Sequence, residues 1–280
     1  MEKICYIIGA GEIHKLNINP NPNDYIIAAD GGYKYLKEIN IIPDIIVGDF
    51  DSSKYPENQD TIKLYKIKDT TDMFEAMKIA YKKGYKKCLI YGALGGRISH
   101  SIANISQMVY FVGKMDITLI DENTTITATN SKINIDYKNL SYISVFSYTP
   151  ISKGVNIKGL KYELKNATLK ANYPLGVSNE SIGKPAEITV EDGILIIITE
   201  KRDEAIIKIE KDREKILQEL GLEDNDNDLW GYLYKGKYIS YAISTRELTP
   251  KILFKKSNGN KEKENDLIDY IKYYYKSRKF

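Results

Sequence analysis

Short apolar runs alternate with amphipathic segments over the first 122 residues. Between residues 72 and 83, Met73, Met77 and Ala80 recur at helical spacing, which is typical of a helix with one face on a core. This alternation favours a mostly parallel sheet with flanking helices. The predicted strands are Lys3–Ile8, Tyr25–Ala29, Ile45–Val47, Thr61–Tyr65, Lys87–Tyr91 and Ile117–Ile120, and the predicted helices are Gly32–Ile39, Asp72–Lys83 and Ser99–Val112.

The pattern changes after about residue 122. From 123 to 201 the apolar segments are short and are separated by Asn, Gly and Pro, which predicts an all-β sandwich or barrel. Asp192-Gly193 between two of these segments predicts a hairpin. The clearest strands are Ser141–Ser147, Ala186–Val190 and Ile194–Thr199.

Residues 202–280 predict a small α+β extension. Its expected elements are helices at Asp203–Leu220 and Glu262–Lys276 and a hairpin around Lys235-Gly236-Lys237, with strands Leu229–Tyr234 and Tyr238–Ser244. The sequence therefore predicts three domains, 1–122, 123–201 and 202–280.

Two carboxylates follow the buried strand Ile45–Val47. In an extended chain Asp49 and Asp51 project from the same side, and open α/β sheets bind ligands at the carboxyl ends of their strands. Carboxylate oxygens at this spacing suit Mg²⁺ that carries nucleotide phosphates. For this pair alone, a turn that recruits Asp is the alternative.

Three further polar or glycine-rich clusters lie near strand ends or helix starts. In the last of them, the glycines let a phosphate approach the backbone, Arg97 offers a planar fork that matches phosphate oxygens, and the next helix start favours an anion. A plain strand-to-helix turn is the alternative there, but the clusters together predict an active site. They are Asp30-Gly31-Gly32, Lys68-Asp69-Thr70-Thr71-Asp72 and Gly95-Gly96-Arg97.

Gly9-Ala10-Gly11 after the first strand predicts only a tight turn. The third glycine of a dinucleotide-binding fingerprint would fall at His14, so that motif is not matched. The chain has no Walker A loop either.

Composition narrows the class of protein. The net charge is only +3 over 280 residues, which gives no general case for nucleic-acid binding. No apolar run approaches the ~18 residues of a membrane span, and Met1 to Ile4 lead straight into a strand without a signal-peptide layout. Cys5 and Cys88 lie inside apolar strands and predict buried, reduced thiols. We therefore expect a cytoplasmic protein with no nucleic-acid or membrane partner.

The motif series resembles that of thiamine pyrophosphokinases. The resemblance covers about residues 1–201, and the order of the motifs is more specific than any one of them. The matching segments are Ala29–Gly32, Pro43–Ser52, Lys68–Asp72, Gly92–Arg97 and Val177–Glu180, and Gly159–Tyr162 is also similar.

The resemblance implies an ATP-dependent diphosphotransferase. It implies transfer of a diphosphoryl group from ATP to the hydroxyethyl group of thiamine, giving thiamine diphosphate and AMP, with Mg²⁺ as cofactor. Residues 1–122 would form the catalytic domain that binds ATP and Mg²⁺, and residues 123–201 would form a β-sandwich that binds thiamine. The resemblance also implies a homodimer with sites between subunits.

Roles carry over by position. The resemblance implies catalytic roles for Asp49, Asp51, Asp72 and Arg97, with the three carboxylates as the Mg²⁺ ligands. It implies ATP or phosphate contacts for Asp30, Gly31, Gly32, Ser52, Lys68, Asp69, Gly95, Gly96, Arg97 and His100. It implies thiamine contacts for Ser178, Asn179 and Ser99. Either Asp72 or Asp51 would orient the thiamine hydroxyl or accept its proton.

Two departures from the family pattern keep alternatives open. Ser99 stands where the pattern usually has Asp, which motivates a pyrophosphokinase of the same fold with a different alcohol acceptor. Residues 202–280 have no counterpart in the usual layout, which motivates a non-catalytic nucleotide or thiamine sensor with the extension as its output module.

Overall fold

The computed structural model describes residues 3–49, 61–63, 69–135, 141–201, 229–234 and 237–242. The chain divides into two compact units, Met1–Lys201 and Arg202–Phe280. Most of the described residues belong to the first unit, which carries all the candidate site residues.

A ten-stranded sheet runs through the first unit, with the strand order β12-β9-β14-β7-β6-β5-β1-β2-β3-β4. The first six strands of the chain are mutually parallel, and the others join antiparallel. The strands are β1 (Ile4–Ile8), β2 (Tyr25–Ala29), β3 (Ile45–Gly48), β4 (Thr61–Lys63), β5 (Lys87–Tyr91), β6 (Asp116–Ile120), β7 (Thr124–Thr129), β9 (Ser141–Ser147), β12 (Asn179–Glu180) and β14 (Leu195–Lys201).

The parallel part of this sheet reverses its direction of winding at β1. The chain proceeds from β1 through β2 and β3 to β4, and then crosses back so that β5 pairs with the other side of β1. A reversal of strand order opens a crevice at the carboxyl ends of the strands, which is where open α/β sheets bind ligands. We therefore expect a ligand site at the loops after β1, β2, β3 and β5.

In the part of the chain that the structure describes, three helices and a short 3₁₀ turn cover this part of the sheet, and their apolar faces build two cores. Helices α2 and α3 bury Met77, Ala80 and Met108 against one face of the sheet. On the other face, Leu36 of α1 packs with residues of β1 and β2. The helical elements are the 3₁₀ turn Asp30–Gly32, α1 (Tyr33–Glu38), α2 (Asp72–Lys82) and α3 (Ile98–Tyr110).

A second, four-stranded antiparallel sheet packs against β9 and β14. Its order is β11-β10-β13-β8, and its core residues meet alternate residues of the two larger-sheet strands. In β14, Leu195 and Ile197 face this sandwich core, whereas Ile196 joins the core under the helices. One strand therefore serves both cores, and a single sheet continues across residue 122. The strands are β8 (Lys132–Ile135), β10 (Ile151–Lys158), β11 (Leu164–Lys170) and β13 (Ala186–Thr189).

The predicted hairpin at Asp192-Gly193 is wrong. The segments on its two sides, β13 and β14, belong to opposite sheets and do not pair with each other. Gly193 does adopt a positive φ of 103°, so the turn residue was identified correctly. The pairing is decided instead by burial, because Ile188 and Leu195 each fill the sandwich core from their own sheet.

The two cysteines are free and fully buried, as predicted. They are register partners on β1 and β5, and burial together with a hydrogen bond to Cys5 raises the pKa of the Cys88 thiol. Among the described residues, no helix has both the length and the apolar character to cross a membrane.

In the second unit, β15 (Leu229–Tyr234) and β16 (Lys237–Ala242) form the predicted antiparallel hairpin. The two helices predicted in this unit lie outside the described residues.

Candidate active site at the strand ends

Glycines let the loops after β1, β2 and β5 approach one another closely. Gly9 donates its amide to the carbonyl oxygen of Tyr91 at 2.8 Å, and Gly11 donates to that of Gly92 at 3.0 Å. A Cβ at Gly11 would lie 2.5 Å from the Gly92 oxygen, which real side chains do not tolerate. The glycines after β1 therefore belong to a tight turn that locks onto the loop after β5.

Three carboxylates from three separate elements meet beside these loops. Asp30 follows β2, Asp49 follows β3 and Asp72 begins α2, and one oxygen from each lies within 4.8 Å of the others. All three residues are half-buried. The sequence predicted Asp49 and Asp72 as metal ligands and Asp30 as an ATP-pocket residue, and the structure brings all three into one cluster.

The backbone at Asp30 is held in an unusual conformation. Its φ is +52°, in the left-handed region that residues other than glycine rarely adopt. Gly32 ends the same short turn, and a Cβ there would lie 1.9 Å from the carbonyl oxygen of Ile8. Close packing of this turn on β1 therefore brings Asp30 to the cluster, and strained residues of this kind concentrate at functional sites.

The start of α2 fixes the position of Asp72. Thr71 caps the helix, because its hydroxyl accepts the amide of Phe74 at 3.1 Å and donates to Gln107 of α3 at 3.1 Å. An aspartate in the first helical turn is stabilised by the helix dipole.

Glu75, one turn along α2, bonds the Thr70 hydroxyl and Lys78, both at 2.5 Å. Burial acts to raise the pKa of Glu75, but the hydrogen bonds from Lys78 and Thr70, together with the positive charges of Lys78 and Lys82, hold that pKa below its usual value.

The loop after β5 is half embedded and half open. Ala93 and Leu94 are buried in the core under the helices, whereas Gly95, Gly96 and Arg97 are exposed. Both glycines have a positive φ, and a Cβ at either would meet no atom within 4 Å. Arg97 is the N-cap residue of α3, and Ser99 and His100 are exposed in the first turn. The open side of this loop offers backbone, a guanidinium group and a helix start to an anion.

Two of the three residues predicted to bind thiamine, Ser178 and Asn179, lie at the far edge of the same sheet, whereas the third, Ser99, is in the first turn of α3. Ser178 is exposed with a φ of +59°, whereas Asn179 is only 4% exposed. The Asn179 side chain accepts the amide of Tyr162 at 3.0 Å and donates to the carbonyl of the same residue at 2.6 Å. The amide of Asn179 therefore holds the backbone at Tyr162, and Ser178 is the accessible residue of the pair.

A wide gap separates Ser178 from the carboxylates within one chain. Ser178 precedes β12 at one edge of the sheet, five strand positions from β5 and eight from β3. At a spacing of about 4.8 Å per strand, these separations are about 24 Å and about 38 Å along the sheet. One chain therefore keeps the Ser178 segment apart from the carboxylate cluster.

The remaining predicted residues divide into two groups. Gly31 is half-buried in the turn after β2, and Asp69 is exposed shortly before α2. Asp51, Ser52 and Lys68 lie outside the described residues. Asp30 is the member of the cluster that was not predicted as a metal ligand. Its position directly after a predicted strand is the sequence signal that could have identified it.

Two family models match the first unit of the chain. The model for the thiamin pyrophosphokinase catalytic domain matches residues 19–120, and the model for the thiamin pyrophosphokinase vitamin B1 binding domain matches residues 130–195. The two matches meet close to the change of pattern seen in the sequence.

Curated relatives give the same result. A thiamine pyrophosphokinase of Bacillus subtilis is 31% identical over 183 residues, which are 61% of this chain and 85% of the relative. A thiamin pyrophosphokinase of Caenorhabditis elegans is 26% identical over 176 residues, which are 57% of this chain and 72% of the relative. Both aligned lengths, 183 and 176 residues, fall well short of the 280 residues of this chain.

Solved structures share the fold. A crystal structure of thiamine pyrophosphokinase from Bacillus subtilis superposes with a TM-score of 0.66 at 27% identity, covering 72% of this chain and 100% of the other. A family member from Enterococcus faecalis superposes with a TM-score of 0.62 at 25% identity, with the same coverage. Each of these two structures therefore matches along its whole length, and the match covers 72% of this chain.

Proposed function

Because the chain belongs to the thiamine pyrophosphokinase family, we propose that it transfers the diphosphoryl group of ATP to the hydroxyethyl group of thiamine. The products are thiamine diphosphate and AMP. The observation that carries this proposal is the cluster of Asp30, Asp49 and Asp72 beside an open glycine-rich loop.

The donor set fits a magnesium ion. Three carboxylates from separate elements converge within 4.8 Å, and hard oxygen ligands with room left for phosphate and water are what Mg²⁺ prefers. We therefore assign Asp30, Asp49 and Asp72 as its ligands, with Asp51 as a further ligand on the sequence argument. Bound there, the ion would neutralise charge on the phosphate oxygens of ATP.

The reaction needs attack at the β-phosphorus of ATP. The thiamine hydroxyl oxygen forms the new bond, the bond from the β-phosphorus to the oxygen bridging it to the α-phosphorus breaks, and AMP leaves with that oxygen. A carboxylate of the cluster accepts the hydroxyl proton. Arg97 at the start of α3 stabilises the negative charge that develops on the phosphate oxygens.

The electrostatics of the site also suit the acceptor. Thiamine carries a positive charge on its thiazolium ring, and a group of carboxylates attracts it. Ser99 lies exposed in the first turn of α3, and its hydroxyl supplies no charge of its own. A panel of alcohol acceptors tests specificity, and Ser99→Asp should lower KM for thiamine if this position faces the acceptor.

A homodimer would bring the Ser178 segment of one subunit to the carboxylate cluster of the other. Within one chain, Ser178 is about 24 Å or more along the sheet from the strands that carry the phosphate site. That distance supports a site completed by the Ser178 segment of a partner subunit. The convergence of Asp30, Asp49 and Asp72 argues against a non-catalytic sensor, because a protein without catalysis has less need of three clustered carboxylates.

The test is release of AMP from ATP and Mg²⁺ with and without thiamine, with the mass of the organic product determined. Thiamine-dependent AMP together with thiamine diphosphate is the expected result. ADP in place of AMP would refute diphosphoryl transfer, and AMP formed only with another alcohol would identify a different acceptor.

A further inference from the structure

A polar residue occupies the centre of the buried face of α3. Asn104 is 8% exposed, and the other buried residues of this helix are Met108 and Val109. The core-facing stripe of an amphipathic helix is ordinarily apolar, and burying an amide costs free energy unless it is hydrogen-bonded. Asn104 therefore needs a specific partner.

That partner is the loop after β5. Asn104 Nδ2 donates to the carbonyl oxygen of Ala93 at 2.7 Å, and the bond is buried. Ala93 is 3% exposed and Leu94 8% exposed, so water has little access to this carbonyl. A buried carbonyl without a donor is costly, and Asn104 supplies the donor from the helix side.

Two other carbonyls of the same loop are also held by the scaffold. The Gly92 oxygen accepts the amide of Gly11 at 3.0 Å, and the Gly95 oxygen accepts the Ser101 hydroxyl at 3.3 Å. Carbonyl oxygens repel an anion, so turning them toward the scaffold favours phosphate on the open side of the loop. Asn104 makes the shorter and more deeply buried of the two side-chain contacts.

We propose that Asn104 is a positioning residue that sets the conformation of the loop 92–97 for phosphate binding. It acts through the Ala93 carbonyl and touches no substrate. The inference rests on the proposed function, since it assigns the loop to the phosphates of ATP.

The test compares Asn104→Leu, which removes the donor at similar volume, with Thr127→Val. Thr127 donates its hydroxyl to the carbonyl oxygen of Ile117 at 3.0 Å, near the amino end of β6 and remote from the loop. Both variants lose one side-chain bond to a backbone carbonyl, so a purely structural role predicts similar behaviour. Asn104→Ala, which removes the donor without burying a new polar group, carries the test if Asn104→Leu does not fold.

The readouts are thermal unfolding, kcat/KM for ATP and for thiamine, and calorimetric binding of a non-hydrolysable ATP analogue with Mg²⁺. We expect Asn104→Leu to lower kcat/KM for ATP and analogue affinity by about tenfold or more, with a smaller change in KM for thiamine. Thr127→Val should lose comparable thermal stability and keep its kinetic constants.

Two results would contradict the inference in different ways. A folded Asn104→Leu variant with wild-type analogue affinity and kcat/KM for ATP, in an active parent enzyme, would overturn the positioning role alone. A parent protein that neither binds the analogue nor releases AMP would overturn the proposed function and this inference with it.

Discussion

The distance between Ser178 and the carboxylate cluster gives the sharpest prediction, which is that active sites form only between subunits. Ser178 lies about 24 Å along the sheet from β5 and farther from β3, a gap that thiamine does not bridge. Two inactive variants should therefore complement each other in one dimer. Asp49→Asn should disable the carboxylate cluster, and Ser178→Arg places a bulky cation at the exposed position that is predicted to contact thiamine.

Each variant alone should be inactive as a homodimer. In a heterodimer purified with two different tags, one site combines both substituted residues and the other combines both native residues. That heterodimer should show about half the wild-type activity, because one of two symmetry-related sites is intact. Activity is measured as thiamine-dependent AMP release at saturating substrates.

The reciprocal heterodimer is the control. It pairs a chain that carries both substitutions with a wild-type chain, so each shared site contains one substituted residue. Sites between subunits predict no activity for this species, whereas sites within one chain predict about half. An inactive first heterodimer together with an active control would refute the shared site, and so would an active monomer.

Three further predictions concern the metal, pH and the extension. Asp49→Asn should reduce the rate of AMP release at least about 100-fold, since a metal ion stabilises the transition state by several kcal/mol. Asp116→Asn makes the same charge change at the amino end of β6 and should leave that rate unchanged. Equal rates of AMP release in the two variants would contradict the metal assignment. The pKa of Glu75 is lowered on folding, so its contribution to stability is present above the unfolded pKa and is lost as pH falls through the folded one; the gap in stability between wild type and Glu75→Gln should close on acidification, and a gap that widened would contradict this sign. A chain ending at residue 201 should keep thiamine-dependent AMP release, because the complete Bacillus subtilis structure matches 72% of this chain; a folded, dimeric truncation without activity would show that the extension is required.

Local patterns were sufficient to predict most of the elements that build the site. The strands before Asp30 and Asp49 were predicted from continuous apolar runs, because parallel strands are buried on both faces. The helix that begins at Asp72 was predicted from apolar residues at helical spacing. The structure confirms the parallel-rich sheet and the second, sandwich-like sheet.

Long-range pairing was the part that local patterns could not supply. The chain returns from β4 to pair β5 with β1, which brings the loops after β1, β2 and β5 together. No single segment of the sequence predicts this strand order. For the same reason, the sequence could not show that β14 pairs with both β7 and β9. Because β14 lies between β7 and β9, the large sheet continues from the α/β part into the sandwich. The same pairing explains why the turn at Gly193 was predicted correctly but the hairpin was not.

Side-chain roles were hardest to predict where one residue type serves two purposes. Asn179 was assigned to thiamine on resemblance, and its amide bonds the backbone of Tyr162. The helical pattern gives no signal for Asn104, because an isolated polar residue in such a pattern is usually exposed. Its burial becomes visible only when α3 is packed against the loop after β5.

The most direct test of diphosphoryl transfer follows the β-phosphate of ATP. With ATP labelled at the β-phosphorus, Mg²⁺ and thiamine, the label should appear in thiamine diphosphate, and the released AMP should carry none. Label retained in ADP, with thiamine monophosphate as the organic product, would contradict attack at the β-phosphorus and therefore diphosphoryl transfer itself.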